Sequence, residues 1–136
     1  MTVVLDSNVL FAALVSQGLC REVFLTTARF HTVVSSKVLV SELDEVIDRK
    51  LVHTPASKQF IRNFRKESQL VKPEAIDPPV CRDADDDVVL GTALAAKADC
   101  IVTGDKDLLI LKKFRKIQIL SPREFIEAME SGNLGR

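Results

Sequence analysis

Short apolar runs that stop at a polar residue, each followed by a stretch of helical period, constrain this chain more than any other feature. Thr2–Leu5 is β-branched and apolar and ends at Asp6-Ser7-Asn8. His31–Ser35, Cys100–Thr103 and Ile117–Leu120 repeat the arrangement, running into serine or into Gly104-Asp105. A brief apolar run closed by a capping residue reads as a buried strand handing over to a helix. Helices are expected from Val9 to Val15, over Leu19–Arg29, Lys37–Leu51, Pro55–Gln69, Asp83–Ala98 and Lys106–Phe114, and onward from Pro122. Strands that alternate with helices in this way predict an α/β sandwich around a mainly parallel central sheet.

The chain has 136 residues, enough for one compact domain and too few for two. That domain is expected to span residues 1–130, with a tail at 131–136 that frays. Pro73, Pro78 and Pro79 mark the one long loop. No apolar run approaches the roughly 20 residues of a membrane span, and the N-terminus meets an acid too soon for a signal peptide. Cys20, Cys81 and Cys100 are far apart with no CxxC pair, which argues against a disulfide framework or a structural zinc site. A reduced, cytoplasmic protein is expected. Nineteen basic and 19 acidic residues leave no net charge, which excludes binding of nucleic acid by bulk charge but not an enzyme acting on it.

Several acids stand where ordinary surface residues would not. Asp6 and Asp105 each follow a predicted strand, and in open α/β sheets ligands bind at the carboxyl ends of strands. Either could instead be a helix N-cap and nothing more. On the third predicted helix, with Val38 set at zero, Glu42 falls near ~40°, between Val38 and Val46 (~80°) on the apolar arc. An unpaired carboxylate there costs several kcal/mol or shifts its pKa; a position at the end of the stripe, within reach of water, is the alternative. Asp83, Asp85, Asp86 and Asp87 open a helix that is apolar on most sides. One or two acids there gain from the helix dipole, but four repel one another unless a cation is present. Asp86 heads the apolar stripe, with Asp87 near ~100° at its edge. Asp6, Glu42, Asp86 and Asp105 together form an all-oxygen donor set of the kind that selects Mg²⁺ or Mn²⁺, and metal-assisted hydrolysis of phosphodiesters is the chemistry such a set serves.

In these residues the chain resembles the PIN-domain family, and within it the toxins of VapC type. The likeness is carried by Val3-Val4-Leu5-Asp6-Ser7-Asn8-Val9-Leu10, by Glu42, by Arg82-Asp83-Ala84-Asp85-Asp86-Asp87-Val88-Val89-Leu90 and by Ile101-Val102-Thr103-Gly104-Asp105-Lys106-Asp107-Leu108. The resemblance implies a three-layer α/β/α fold and an Mg²⁺- or Mn²⁺-dependent ribonuclease site. Its catalytic and metal-binding quartet would be Asp6, Glu42, Asp86 and Asp105, with Asn8 and Thr103 orienting them. Asp87 and Asp107 stand as further candidate ligands, and Asp83 or Asp87 as alternatives to Asp86. The resemblance also implies an RNA substrate, a cognate antitoxin as partner and a homodimer.

Two basic groups could hold RNA or a partner. Lys58, Arg62, Arg65 and Lys66 share one face of the fourth helix, opposite Phe60 and Phe64, while Lys112, Lys113, Arg115 and Lys116 cluster in sequence. Either could equally be a solvated face. Two other readings stay open: a receiver-like phosphoryl-transfer domain, which leaves Glu42 without a role, and a non-catalytic RNA- or protein-binding module on the same fold. If the four site acids face a cation rather than solvent, the 19 bases outnumber the remaining acids by four.

Overall fold

A computed structural model describes residues 1–50 and 52–132. In chain order the elements are β1 (Thr2–Leu5), α1 (Ser7–Val15), α2 (Leu19–Phe30), β2 (Thr32–Ser35), α3 (Lys37–Arg49), α4 (Pro55–Glu67) and β3 (Gln69–Leu70). They continue with α5 (Ala84–Ala96), β4 (Cys100–Val102), α6 (Lys106–Leu109), β5 (Lys113–Phe114), β6 (Ile117–Leu120) and α7 (Pro122–Ser131). The sheet order is β3-β2-β1-β4-β6-β5. Every pairing is parallel except β5 with β6.

Alternation along the strands builds two cores. Val3 and Leu5 point to one face with Cys100 and Val102, where α1, α2, α3, α4 and α7 pack through Leu10, Val23, Leu43, Phe64 and Phe125. Val4 and Ile101 point to the other, where α5 and α6 supply Val89, Leu90, Ala93 and Leu108. Side chains of period two fill both faces of a sheet only when helices cover both. The fold is therefore three-layer α/β/α around a mainly parallel sheet.

Helix starts follow the capping chemistry of the sequence. Asp6, Ser36, Thr54, Asp83, Asp105 and Ser121 each accept a backbone N–H at a helix N-terminus. Four expected helices end early, α3 among them at Arg49 with Lys50 as its cap. The stretch Lys106–Phe114 is helical only to Leu109, because Lys112 and Arg115 turn into left-handed backbone (φ 59° and 54°) and Lys113–Phe114 pairs with β6 as a hairpin. α4 stops at Glu67, and Gln69 belongs to β3. α5 ends at Ala96, where Lys97 takes a left-handed cap (φ 53°). Leu51, the expected last residue of α3, lies outside the described residues, as does most of the expected tail; Ser131 closes α7 and Gly132 caps it.

The chain passes from β1 outward to β2 and β3, then crosses back to place β4 on the other side of β1. The β1–β4 junction is thus the topological switch point, where an open α/β sheet leaves a crevice outside its carboxyl edge. Asp6 follows β1 and Asp105 follows β4 after Thr103-Gly104. No single described helix is long and apolar enough to cross a membrane.

Candidate functional site

Asp6 closes β1 and opens α1. Its backbone N–H donates to Val102 O at 3.0 Å, and its Oδ1 accepts the Ser7 N–H at 2.8 Å. Its Oδ2 accepts the hydroxyl of Thr103 at 2.7 Å, with Asn8 Nδ2 at 3.5 Å. Fully buried Thr103 also accepts the Asp105 N–H at 3.0 Å, so one hydroxyl ties the two strand-end acids. Asn8 Oδ1 accepts the Gly104 N–H at 3.3 Å and anchors the loop between them. Asp105 in turn caps α6, its Oδ1 accepting the Asp107 N–H at 2.8 Å.

Asp86 comes from the first turn of α5 and is 8% exposed. Carboxylate oxygens of Asp86, Asp105 and Asp107 lie within 4.8 Å of one another. Glu42 reaches the same crevice from α3, where Ser7 Oγ donates to its Oε2 at 3.2 Å. It does not lie inside the core-facing stripe. The buried residues of α3 are Leu39, Val40, Leu43 and Ile47, whereas Val38 is 42% exposed. The apolar arc is therefore rotated away from Val38, and Glu42 sits half-buried at its margin.

The electrostatics record crowding. Burial, followed by the charge of Asp105, a hydrogen bond with it and the charges of Asp83 and Asp6, pushes the Asp86 carboxyl up to about 7. Burial also raises Glu42 to about 7; the Ser7 hydroxyl opposes the shift, and the charges of Asp85, Asp6 and Glu45 add to it. Asp6 is raised by burial against the bonds from Thr103 and Ser7. Like charges gathered in a desolvated crevice resist ionisation. A divalent cation removes that resistance, and a donor set made only of carboxylate oxygens suits Mg²⁺ or Mn²⁺.

The remaining candidates are placed elsewhere. Asp87 accepts backbone N–H groups of Val80 and Cys81, the shortest at 2.9 Å, and so holds the proline-rich loop. Asp83 is the N-cap of α5 and Asp85 is exposed. Lys58, Arg62, Arg65 and Lys66 lie on the exposed face of α4, Arg65 paired with Asp44 at 2.9 Å. Lys112, Lys113, Arg115 and Lys116 are exposed around the β5–β6 hairpin. Its Arg115–Lys116 turn precedes β6, which runs parallel to β4. The turn therefore lies at the amino edge of the sheet, about 13 Å of strand away from the acids' edge. Sequence reasoning missed Ser7, the hydroxyl between the two acids of the quartet that come from α3 and the end of β1. Its place inside Asp6-Ser7-Asn8 was the available signal.

A family model described as the PIN domain matches residues 2–107. No curated protein sequence matches the chain. Among solved structures, a chain in the crystal structure of VapBC2 from Rickettsia felis bound to a DNA fragment from their promoter is similar in fold. It has 13% identity and a TM-score of 0.64, covering 89% of this chain and 98% of that one.

Proposed function

The chain belongs to the PIN-domain family, and from that premise we propose that its acidic crevice is the centre of a divalent-metal endoribonuclease, the toxin of a toxin–antitoxin pair. The observation that carries the reading is the convergence of Asp6, Glu42, Asp86, Asp105 and Asp107 at the switch point, with oxygens of the last three within 4.8 Å. Asp86, Asp105 and Asp107 would hold Mg²⁺ or Mn²⁺, with Asp6 and Glu42 beside them. Such a cation supplies Lewis acidity that activates water and neutralises charge on the phosphate.

The protein's own work is preorganisation. Thr103 fixes Asp6 relative to Asp105, Asn8 fixes the loop bearing Asp105, and Ser7 aims Glu42. Groups locked in this way need no rearrangement as the reaction proceeds. RNA backbone phosphates are the substrate class in this reading, with basic residues of α4 as outlying contacts. The antitoxin partner is supported by the structural neighbour, which was solved as VapBC2 on promoter DNA; homodimerisation and a cytoplasmic setting belong to the same reading. A receiver-like domain finds no support beside a PIN match that spans most of the chain.

The test is an assay over several RNAs with and without Mn²⁺. Cleavage by the wild type, abolished in Asp6→Asn and Glu42→Gln, is the expected result. Undiminished wild-type cleavage in excess EDTA would overturn the metal mechanism, and tight metal-independent RNA binding without cleavage would favour a binding module.

A further inference from the structure

Among the described residues one basic side chain touches the acidic crevice. Arg82, in the bend before α5, donates through Nη2 to both carboxylate oxygens of Asp107, at 2.9 and 3.0 Å. The other close contacts described between a basic side chain and a carboxylate, His53 with Asp48 and Arg65 with Asp44, involve acids of α3 that are not part of the cluster. Arg82 therefore supplies the local countercharge to the Asp86–Asp105–Asp107 group.

The geometry of this contact differs from that of a structural clamp. A single nitrogen makes both bonds, and no hydrogen bond from Nε or Nη1 is found among the described residues. The side chain is 86% exposed. An exposed pair of this kind stabilises a fold little, whereas a guanidinium with a spare edge is shaped to grip a phosphate through two parallel N–H bonds. Its partner is also the acid most easily taken from it. Asp107 sits within 4.8 Å of two other carboxylates, so a divalent cation entering there competes directly with Arg82.

We propose that Arg82 is a phosphate-binding residue of the crevice, held on Asp107 in the free protein and released to the RNA backbone when a cation takes over Asp107. The inference rests on the ribonuclease reading and adds a named group that contacts the substrate. No charge is left unpaired by the exchange: the dication takes the place of the single-charged guanidinium against the clustered carboxylates, and the freed guanidinium meets the negative phosphate.

Two binding measurements on the full chain test it, comparing wild type with Arg82→Gln and Arg82→Lys. Mn²⁺ affinity is read by electron paramagnetic resonance without RNA. Affinity for a fluorescein-labelled single-stranded RNA is read by anisotropy, with Ca²⁺ in place of Mn²⁺ so that the strand stays intact. Arg82→Gln should bind Mn²⁺ about 3–10-fold more tightly, having lost the competitor, and RNA about tenfold more weakly, having lost a charge-assisted phosphate contact. Arg82→Lys should keep part of the RNA affinity. Unchanged RNA affinity in Arg82→Gln would overturn the proposal. So would Mn²⁺ binding that is equal or weaker, which together with a lowered Tm would mark a merely structural pair. A wild type that binds RNA through Arg82 yet releases no product in Mn²⁺ would remove the nuclease reading alone.

Discussion

Thr103 is the residue on which the site's geometry turns. Its hydroxyl donates to Asp6 at 2.7 Å and accepts from the Asp105 backbone at 3.0 Å. Thr103→Val keeps the shape and deletes both bonds, and should lower RNA cleavage about 10–100-fold, as loss of a partner that orients a metal ligand does; Thr103→Ser should retain most of it in the same assay. Protonation follows from the same crowding. With Asp86 raised from 3.8 to about 7 and Glu42 from 4.5 to about 7, the metal-free native state binds protons that the unfolded chain has already lost across that interval. Its stability therefore falls as pH rises toward about 7 and stays lower above it. In EDTA the Tm should be higher at pH 5 than at pH 8, and Asp86→Asn should raise it by about 3 °C at pH 8, equivalent to about 1 kcal/mol, with little change at pH 5. Thermal melts by circular dichroism read both. How far the site could be seen from sequence follows the same line. The helical period alone puts Asp86 at the head of the apolar stripe and Asp87 at its edge, and the burial of Asp86, 8% exposed, fits that placement, whereas the binding of Asp87 to the Val80 and Cys81 N–H groups depends on a loop path that no periodicity encodes.

Among the elements, α5 is the one whose placement governs the crevice, since it carries Asp86 and meets the proline-rich loop. The contact is close at Gly91. Glu74 N–H donates to Gly91 O at 3.0 Å, and a Cβ on Gly91 would lie 2.1 Å from Glu74 O. Backbone approaching backbone in this way requires glycine. Gly91→Ala must push the loop outward, and with it Cys81 and Arg82. A loss of about 2–3 kcal/mol in urea unfolding is expected, the usual range for overpacking, accompanied by weaker RNA binding; a variant as stable as wild type would mean that the loop is free to move. Thr92, one residue on, lies 3.2 Å from the hydroxyl of Ser36, the cap of α3, which joins the helices bearing Asp86 and Glu42. The order of β1, β2, β4 and β6 was readable because each of these strands runs into a residue that caps the next helix. β3 and the hairpin at Lys113–Phe114 were not, because two-residue strands carry no period and the left-handed turns at Lys112 and Arg115 fall on residue types that do not announce them. The position of Val38 on the wheel misled for a related reason. Val38 lines an apolar groove of about 720 Å³ together with residues of the 72–82 segment and stays 42% exposed there, a placement that the helical period does not encode.

On the scale of the whole molecule, neutrality is a sum of unlike parts. Acids are drawn to the carboxyl edge of the sheet at the β1–β4 junction, while the exposed bases of α4 and of the β5–β6 hairpin lie on the exterior. Concentrating like charges in one crevice destabilises the empty fold, and a cation bound only by the folded state returns that stability by mass action. Titrating Mn²⁺ into the chelator-stripped protein should therefore raise the Tm with the logarithm of concentration. The gain at a hundred times the dissociation constant is about 2.7 kcal/mol, or about 9 °C for a chain of this length. Asp86→Asn and Asp105→Asn should flatten the rise, whereas Lys116→Ala, at the opposite edge of the sheet, should leave it intact. Asp86→Asn makes the sharper case, because the two effects have opposite sign. At pH 8 it should melt above the wild type in EDTA and below it in saturating Mn²⁺. Loss of an ordinary structural contact would lower both curves, and a cation bound elsewhere would leave the two proteins in the same order throughout.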